Sequence, residues 1–224
     1  MPSPKNIAVV LCGCGRADGS EIHESVSCLI HLARHGAHYR CFAPDAPQPS
    51  VINHVTDEPM HETRNMMVEA ARISRGEITP LARLDVDAFD AVVFPGGFGA
   101  AKNLCDFASR GAECAVLPDV ERVLRGFHAK KKPVGLCCIA PVLAARVLGT
   151  RMGGPGVRVT VGPDSPAASE IAAMGSTNVA RDVTQSFVDD ANKIVTTPAY
   201  MCDAKPHEVY EGIGQMIERV LQLA

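Results

Sequence analysis

Two adjacent cysteines, Cys137 and Cys138, sit inside the stretch 132–147, KPVGLCCIAPVLAARV. The stretch reads as a short strand over 133–136, a tight corner, and a helix opening at Ala140. A side chain on such a corner is lifted above the sheet edge, and the N–H groups of the first helical turn point into the same space. A helix N-terminus carries partial positive charge, so a thiolate held there is stabilised and its pKa falls. Strand alternation sends neighbours to opposite faces. Cys137 is therefore expected in the core, and Cys138 becomes the candidate nucleophile, exposed and partly activated. The plainer alternative is that both are small apolar core residues, as free cysteines commonly are; the strand, corner and helix favour Cys138.

Other chemistry-bearing residues cluster at the start of the chain. Glu24 falls in the first turn of a helix that follows the Gly-rich loop GCGRADGSE. Glu21, at the same helix end, is its rival, and either carboxylate could simply complement the helix dipole while facing solvent. His23, between them, is expected to point elsewhere. Cys12 and Cys14 form a C-x-C pair without a second ligand pair, so no metal and no cofactor are expected. Cys14 is placed near the pocket mouth as a bystander. A second glycine-rich turn, PGGFGAAKNL, brings Gly96 and Gly97 to the end of a strand.

The elements that must hold these residues follow from hydrophobic patterning. Continuous apolar runs at 7–12 and 91–94 read as strands covered on both faces. The first helix shows Ile22, Val26, Leu29, Ile30 and Ala33 at helical spacing, a stripe expected to face the core, with Ser20 as its cap and Gly36 as its stop. A strand at 39–43, a helical pattern over 63–73, and a helix over 119–127 marked by Val120, Val123, Leu124 and Phe127 come next. Beyond the cysteines lie a strand at 158–161, a helix at 166–174, a hairpin from 187–189 and 193–196, and a last helix striped by Val209, Ile213, Met216, Ile217, Val220 and Leu221. Strand and helix alternate, the signature of an α/β fold: a doubly wound, mostly parallel, flavodoxin-like sheet flanked by helices, with a small hairpin, in one domain over 1–224. Ligands of such sheets sit at the carboxyl ends of the strands. The two glycine-rich loops and the Cys138 corner should converge there.

Composition narrows the function classes. In 224 residues, 46% are hydrophobic, which suits a sizeable core. A formal net charge of -3 with mixed signs, and 4% aromatic residues, offer neither a basic face nor stacking platforms for nucleic acid, and no polybasic segment for a membrane. The nine cysteines lack a disulfide-scaffold spacing and read as reduced, hence intracellular. The opening MPSPKNIAVVLCGCG runs into a strand with no signal-like or Arg-rich leader. A cytoplasmic protein is expected, with a mitochondrial location as the alternative if a targeting segment has been removed.

The phrases PGGFGAAKNL, GLCCIAP, GCGRADGSEIHE, CFAPD, TRNMMVEAARISRGEI and TTPAYM, in that family's order along nearly the whole chain, closely resemble the ElbB-type branch of the PfpI/ThiJ superfamily, with its class I glutamine-amidotransferase-like fold. The resemblance implies that Cys138 holds the nucleophile position and that Glu24 is the acidic residue approaching it from the first helix. It implies that the backbone amides of Gly96, Gly97 and Ile139 form an oxyanion hole. Homodimers are common among such folds.

Glutamine hydrolysis in this fold uses a Cys, His and Glu arrangement. Ile139 stands where many superfamily members carry a histidine, and His207 is the only histidine after Cys138. Amide hydrolysis is thereby disfavoured. A thiol, a carboxyl group and an anion cradle suit an aldehyde better, and the resemblance implies a glutathione-independent glyoxalase acting on glyoxal or a related small dicarbonyl. The alternatives are a non-enzymatic redox sensor or binding module built on Cys138, and an amidotransferase-like partner subunit with an incomplete triad.

Overall fold

In the computed structural model, which describes residues 3–163 and 165–224, seven strands form the central sheet. They are β1 (Asn6–Val10), β2 (His38–Ala43), β3 (Ile78–Pro80), β4 (Ala91–Phe94), β5 (Val134–Cys137), β6 (Phe187–Asp189) and β7 (Ile194–Thr197), in spatial order β6-β7-β5-β4-β1-β2-β3. Every neighbouring pair is parallel except the β6–β7 hairpin. The order reverses between β1 and β4, and crevices for ligands form at such switch points beyond the strand ends.

Alternation along β1 shows why both sheet faces must be covered. Ala8 and Val10 enter one apolar cluster, while Ile7 and Val9 enter another. Helices α3 (Pro118–Ala129) and α4 (Pro141–Leu148) contribute to the first cluster; α1 (Ile22–Arg34) and α5 (Pro206–Leu223) contribute to the second. Between them a short α2 (Phe98–Lys102) follows the PGG turn. Helix α5 buries Val209, Ile213, Met216, Ile217 and Val220, as its stripe predicts, and packs along α1.

Helix α1 departs from expectation. Ile22, Val26 and Ile30 are 45%, 38% and 41% exposed, whereas Glu24, Ser25, Ser27, Cys28, His31 and Leu32 are buried. The helix is rotated so that Glu24 faces the sheet, and the apolar stripe is turned outward. Its cap also differs: Glu21, not Ser20, accepts the Glu24 N–H, and Ser20 Oγ takes the N–H of Cys12 instead. The helical pattern over 63–73 condenses to Met66–Ala70 followed by turns. The strand expected at 158–161 shortens to Arg158–Val159, paired in parallel with Thr177–Asn178 in a separate small sheet.

Candidate active site

Cys138 directly follows β5 where the chain turns into α4, and its backbone adopts φ +59°. A non-glycine residue held in that region costs about 1–3 kcal/mol, which the surroundings must supply. Here the Cys138 N–H donates to Thr197 O at 3.0 Å and the Ala140 N–H to Cys137 O at 3.0 Å. The left-handed turn cancels the strand's alternation: Leu136 belongs to the α3/α4 side, but Cys137 and Cys138 both belong to the α1/α5 side. The expectation that the two cysteines part to opposite faces is thus corrected, and both sulfurs approach the same carboxyl group.

That group is Glu24, wholly buried on the inner face of α1. Its Oε2 accepts the Gly96 N–H at 3.0 Å and its Oε1 the Tyr200 N–H at 3.3 Å. Cys137 Sγ lies 3.8 Å from Oε2, and the Cys138 thiol is hydrogen-bonded to the same carboxyl. Burial, and then the neighbouring Glu21 charge, push the Glu24 pKa up to about 7; the hydrogen bonds from Tyr200, Cys138 and Gly96 oppose the rise. A carboxyl group poised there can both give and take protons near neutrality.

Cys138 is only 7% exposed. Burial first, and Glu24 second, raise its thiol well above the ordinary cysteine range, although the amides of Gly97 and Ile139 bond the sulfur and pull the other way. The expected exposed, pre-ionised thiolate is corrected: desolvation outweighs the helix N-terminus. The resting state is a thiol hydrogen-bonded to a carboxyl, with two N–H groups aimed at the sulfur.

The glycine pair divides its labour. A Cβ on Gly96 would stand 2.3 Å from Cys138 Cβ and 2.5 Å from Glu24 Oε2, so only glycine lets the turn approach the pair this closely. Its N–H is committed to Glu24, not offered to an oxyanion, and its carbonyl accepts the Glu21 N–H at 3.0 Å. Gly97, at φ +93°, and Ile139 supply the two amides that reach the sulfur.

Beside this cluster opens a cavity of about 580 Å³ whose walls include Arg16, Glu21, His23, Tyr200, Met201 and Cys202. Two of them bond directly to Glu24: Tyr200 through its N–H, and Glu21 by accepting the Glu24 N–H at 2.7 Å. His23, expected to point away, is on this wall, with Nδ1 2.8 Å from the Tyr200 hydroxyl. Cys14 sits instead among Glu69, Arg72, Asp18 and Arg64, its pKa raised by burial and then by Glu69. His207 is exposed at the start of α5.

Sequence reasoning missed Tyr200 and Cys28, and it named His23 only to turn it away. Tyr200 reaches Glu24 through its backbone, which no side-chain type announces, and the segment TTPAYM was its only trace. Cys28 lies one helical turn beyond Glu24 and hydrogen-bonds Cys137; it would have been found had α1 been read with Glu24 facing inward.

No family model matches the chain. It is 50% identical over 233 residues to the rat "ES1 protein homolog, mitochondrial", covering 99% of this chain and 85% of that protein. It is 49% identical over 234 residues to the human "Glutamine amidotransferase-like class 1 domain-containing protein 3, mitochondrial", covering 100% of this chain and 85% of that protein. Among solved structures, an isoprenoid biosynthesis protein with an amidotransferase-like domain from Ehrlichia chaffeensis superposes with a TM-score of 0.91 at 37% identity, over 98% of this chain and 99% of that one.

Proposed function

The chain belongs to the ElbB-type branch of the PfpI/ThiJ superfamily, together with the ES1 protein homologues, and from that premise we propose that it is a cysteine-dependent, glutathione-independent glyoxalase. Its substrate is glyoxal or a related small dicarbonyl, and its product is the hydroxy acid, glycolate from glyoxal. The observation that carries this reading is the buried pairing of the Cys138 thiol with a carboxyl group whose pKa is raised to about 7.

The chemistry needs no standing thiolate. As Cys138 Sγ bonds to a carbonyl carbon, its proton passes to the Glu24 carboxylate, and the developing oxyanion lies near the Gly97 and Ile139 amides before Glu24 returns the proton to it. In the resulting hemithioacetal, Glu24 removes the hydrogen from the carbon bearing sulfur. The enediol so formed shifts a proton between its oxygens and takes the Glu24 proton on the adjacent carbon. One carbon has been oxidised to a thioester and the other reduced to an alcohol, so no external redox partner enters. Water then cleaves the thioester and frees Cys138.

A peroxide sensor would want a resting thiolate, whereas burial and Glu24 keep Cys138 protonated. The relatives named as mitochondrial support a mitochondrial setting over a cytoplasmic one. The test is glycolate formation from glyoxal without glutathione. Wild-type protein should form it, while Cys138→Ser and Glu24→Gln should each lose at least about a hundredfold in kcat/KM; a wild-type protein that leaves glyoxal unchanged sinks the reading.

A further inference from the structure

The cap of α1 is an unusual choice for a helix. Serine, threonine, aspartate and asparagine are the favoured N-caps, and Ser20 is adjacent, yet its hydroxyl serves the Cys12 N–H and Glu21 caps the helix. A neutral cap would satisfy the helix equally well. What the glutamate adds is a second carboxylate, only 9% exposed, beside the buried Glu24, and two carboxylates sharing a site hinder each other's ionisation.

A closed ring of hydrogen bonds fixes that carboxylate. The Glu21 N–H donates to Gly96 O at 3.0 Å, the Gly96 N–H donates to Glu24 Oε2 at 3.0 Å, and the Glu24 N–H donates to Glu21 Oε2 at 2.7 Å. The ring extends to the sulfur. Gly96 O and the Gly97 N–H belong to one planar peptide and point in opposite directions, so Glu21 pins the carbonyl end of the peptide whose amide bonds the Cys138 sulfur. A donor on that carbonyl also polarises the amide at the other end. The fit is tight: a Cβ on Gly97 would stand 2.4 Å from Glu21 N.

Resting on the reading that Cys138 and Glu24 exchange a proton, we propose that Glu21 is the positioning residue for that exchange: its carboxylate sets the pH at which Glu24 gives up its proton, and its backbone N–H aims the Gly97 amide at the sulfur. Among the described residues, the other ionisable groups against Glu24 are Cys137 and Cys138, from β5 and its corner, and Tyr200, which follows β7. Burial raises all three, so they are neutral where Glu24 titrates, and Glu21 supplies the charge that faces it. His23 lies on the exposed side, with Nδ1 4.0 Å from Glu21 Oε1, and in its protonated form would partly offset that charge.

The experiment needs no substrate. In protein carrying carbon-13 at the glutamate carboxyls, the Glu24 signal, assigned by its loss in Glu24→Gln, is followed through pH by NMR, and hydrogen exchange at the Gly97 amide is read alongside. Glu21→Gln keeps the cap and removes the charge, so the Glu24 midpoint should fall by about one unit with Gly97 exchange unchanged. Glu21→Asp keeps both cap and charge and should keep the midpoint near that of wild type. Glu21→Ala opens the ring as well, so exchange at Gly97 should run about tenfold faster. In glyoxal assays of Glu21→Gln, the acid limb of kcat/KM should fall with the midpoint. An unmoved midpoint in Glu21→Gln, or unchanged Gly97 exchange in Glu21→Ala, overturns this inference alone. A wild-type protein inert toward glyoxal overturns the glyoxalase reading, and the NMR midpoints still decide the role of Glu21.

Discussion

Cys137 Sγ lies 3.8 Å from Glu24 Oε2, the same oxygen that accepts the Gly96 N–H, so the neighbour of the nucleophile also touches its acid. A weak S–H donor to a carboxylate favours the ionised form. Cys137→Ala should leave the reaction intact and shift the acid limb of the kcat/KM pH profile upward by a few tenths of a unit. An unmoved limb would mean that the sulfur only fills space.

The raised thiol of Cys138 governs its reaction with alkylating agents, since the thiolate is the nucleophile. Iodoacetamide should label Cys138 more slowly than a free cysteine at pH 7, and the rate should still be climbing above pH 9. Glu24→Gln removes the second cause of that rise, so the alkylation profile should move to lower pH. Rapid labelling that levels off below pH 8 would contradict a buried, protonated Cys138 thiol.

Glu24 also makes stability depend on pH, in the direction opposite to a salt-bridged carboxylate. Its pKa is about 7 in the folded chain against an ordinary 4.5, so between those values the folded state binds more protons than the unfolded one. Stability is then fully present below about pH 4.5 and falls as pH rises toward 7, by about 3 kcal/mol in all from this one group. Denaturant titrations of wild type and Glu24→Gln should differ more at pH 8 than at pH 5, with the variant gaining relative stability at pH 8. Parallel pH dependences in the two proteins would show that Glu24 titrates normally.

Apart from the short edge strand β3, whose three residues carry no apolar run, the strand and helix order, the hairpin and the Cys138 corner were legible because each rests on local pattern: apolar runs, Gly/Pro punctuation and a stripe such as that of α5. The rotation of α1 was not. Its apolar residues Ile22, Val26 and Ile30 keep helical spacing, yet that spacing states only that a helix has an apolar side, not which side the sheet receives. Glu24 decides the matter, because two backbone amides and two thiols wait for it on the inner face. The local environment of Cys138 escaped for a related reason. A corner position announces a strand-to-helix turn, but desolvation depends on what the folded chain packs over it, and Glu24 and the PGG turn come from distant segments.

Gly96 and Gly36 separate two reasons a glycine is needed. Gly36, at φ +70° after α1, has nothing within 4 Å of a built Cβ, so Gly36→Ala meets only backbone strain, about 1–2 kcal/mol. Gly96 is not in the left-handed region, but its Cβ would fall 2.3 Å from Cys138 Cβ, 2.5 Å from Glu24 Oε2 and 2.9 Å from Cys137 O. The methyl can be accommodated only by pushing the turn off the thiol–carboxyl pair, which also breaks the Gly96 N–H bond to Glu24. Gly96→Ala should therefore cost at least about 2 kcal/mol and abolish glyoxal turnover, while Gly36→Ala loses stability with kcat/KM unchanged. Urea denaturation and glycolate assays on the two variants read both effects, and a Gly96→Ala protein with full activity would mean that the turn does not press on the pair.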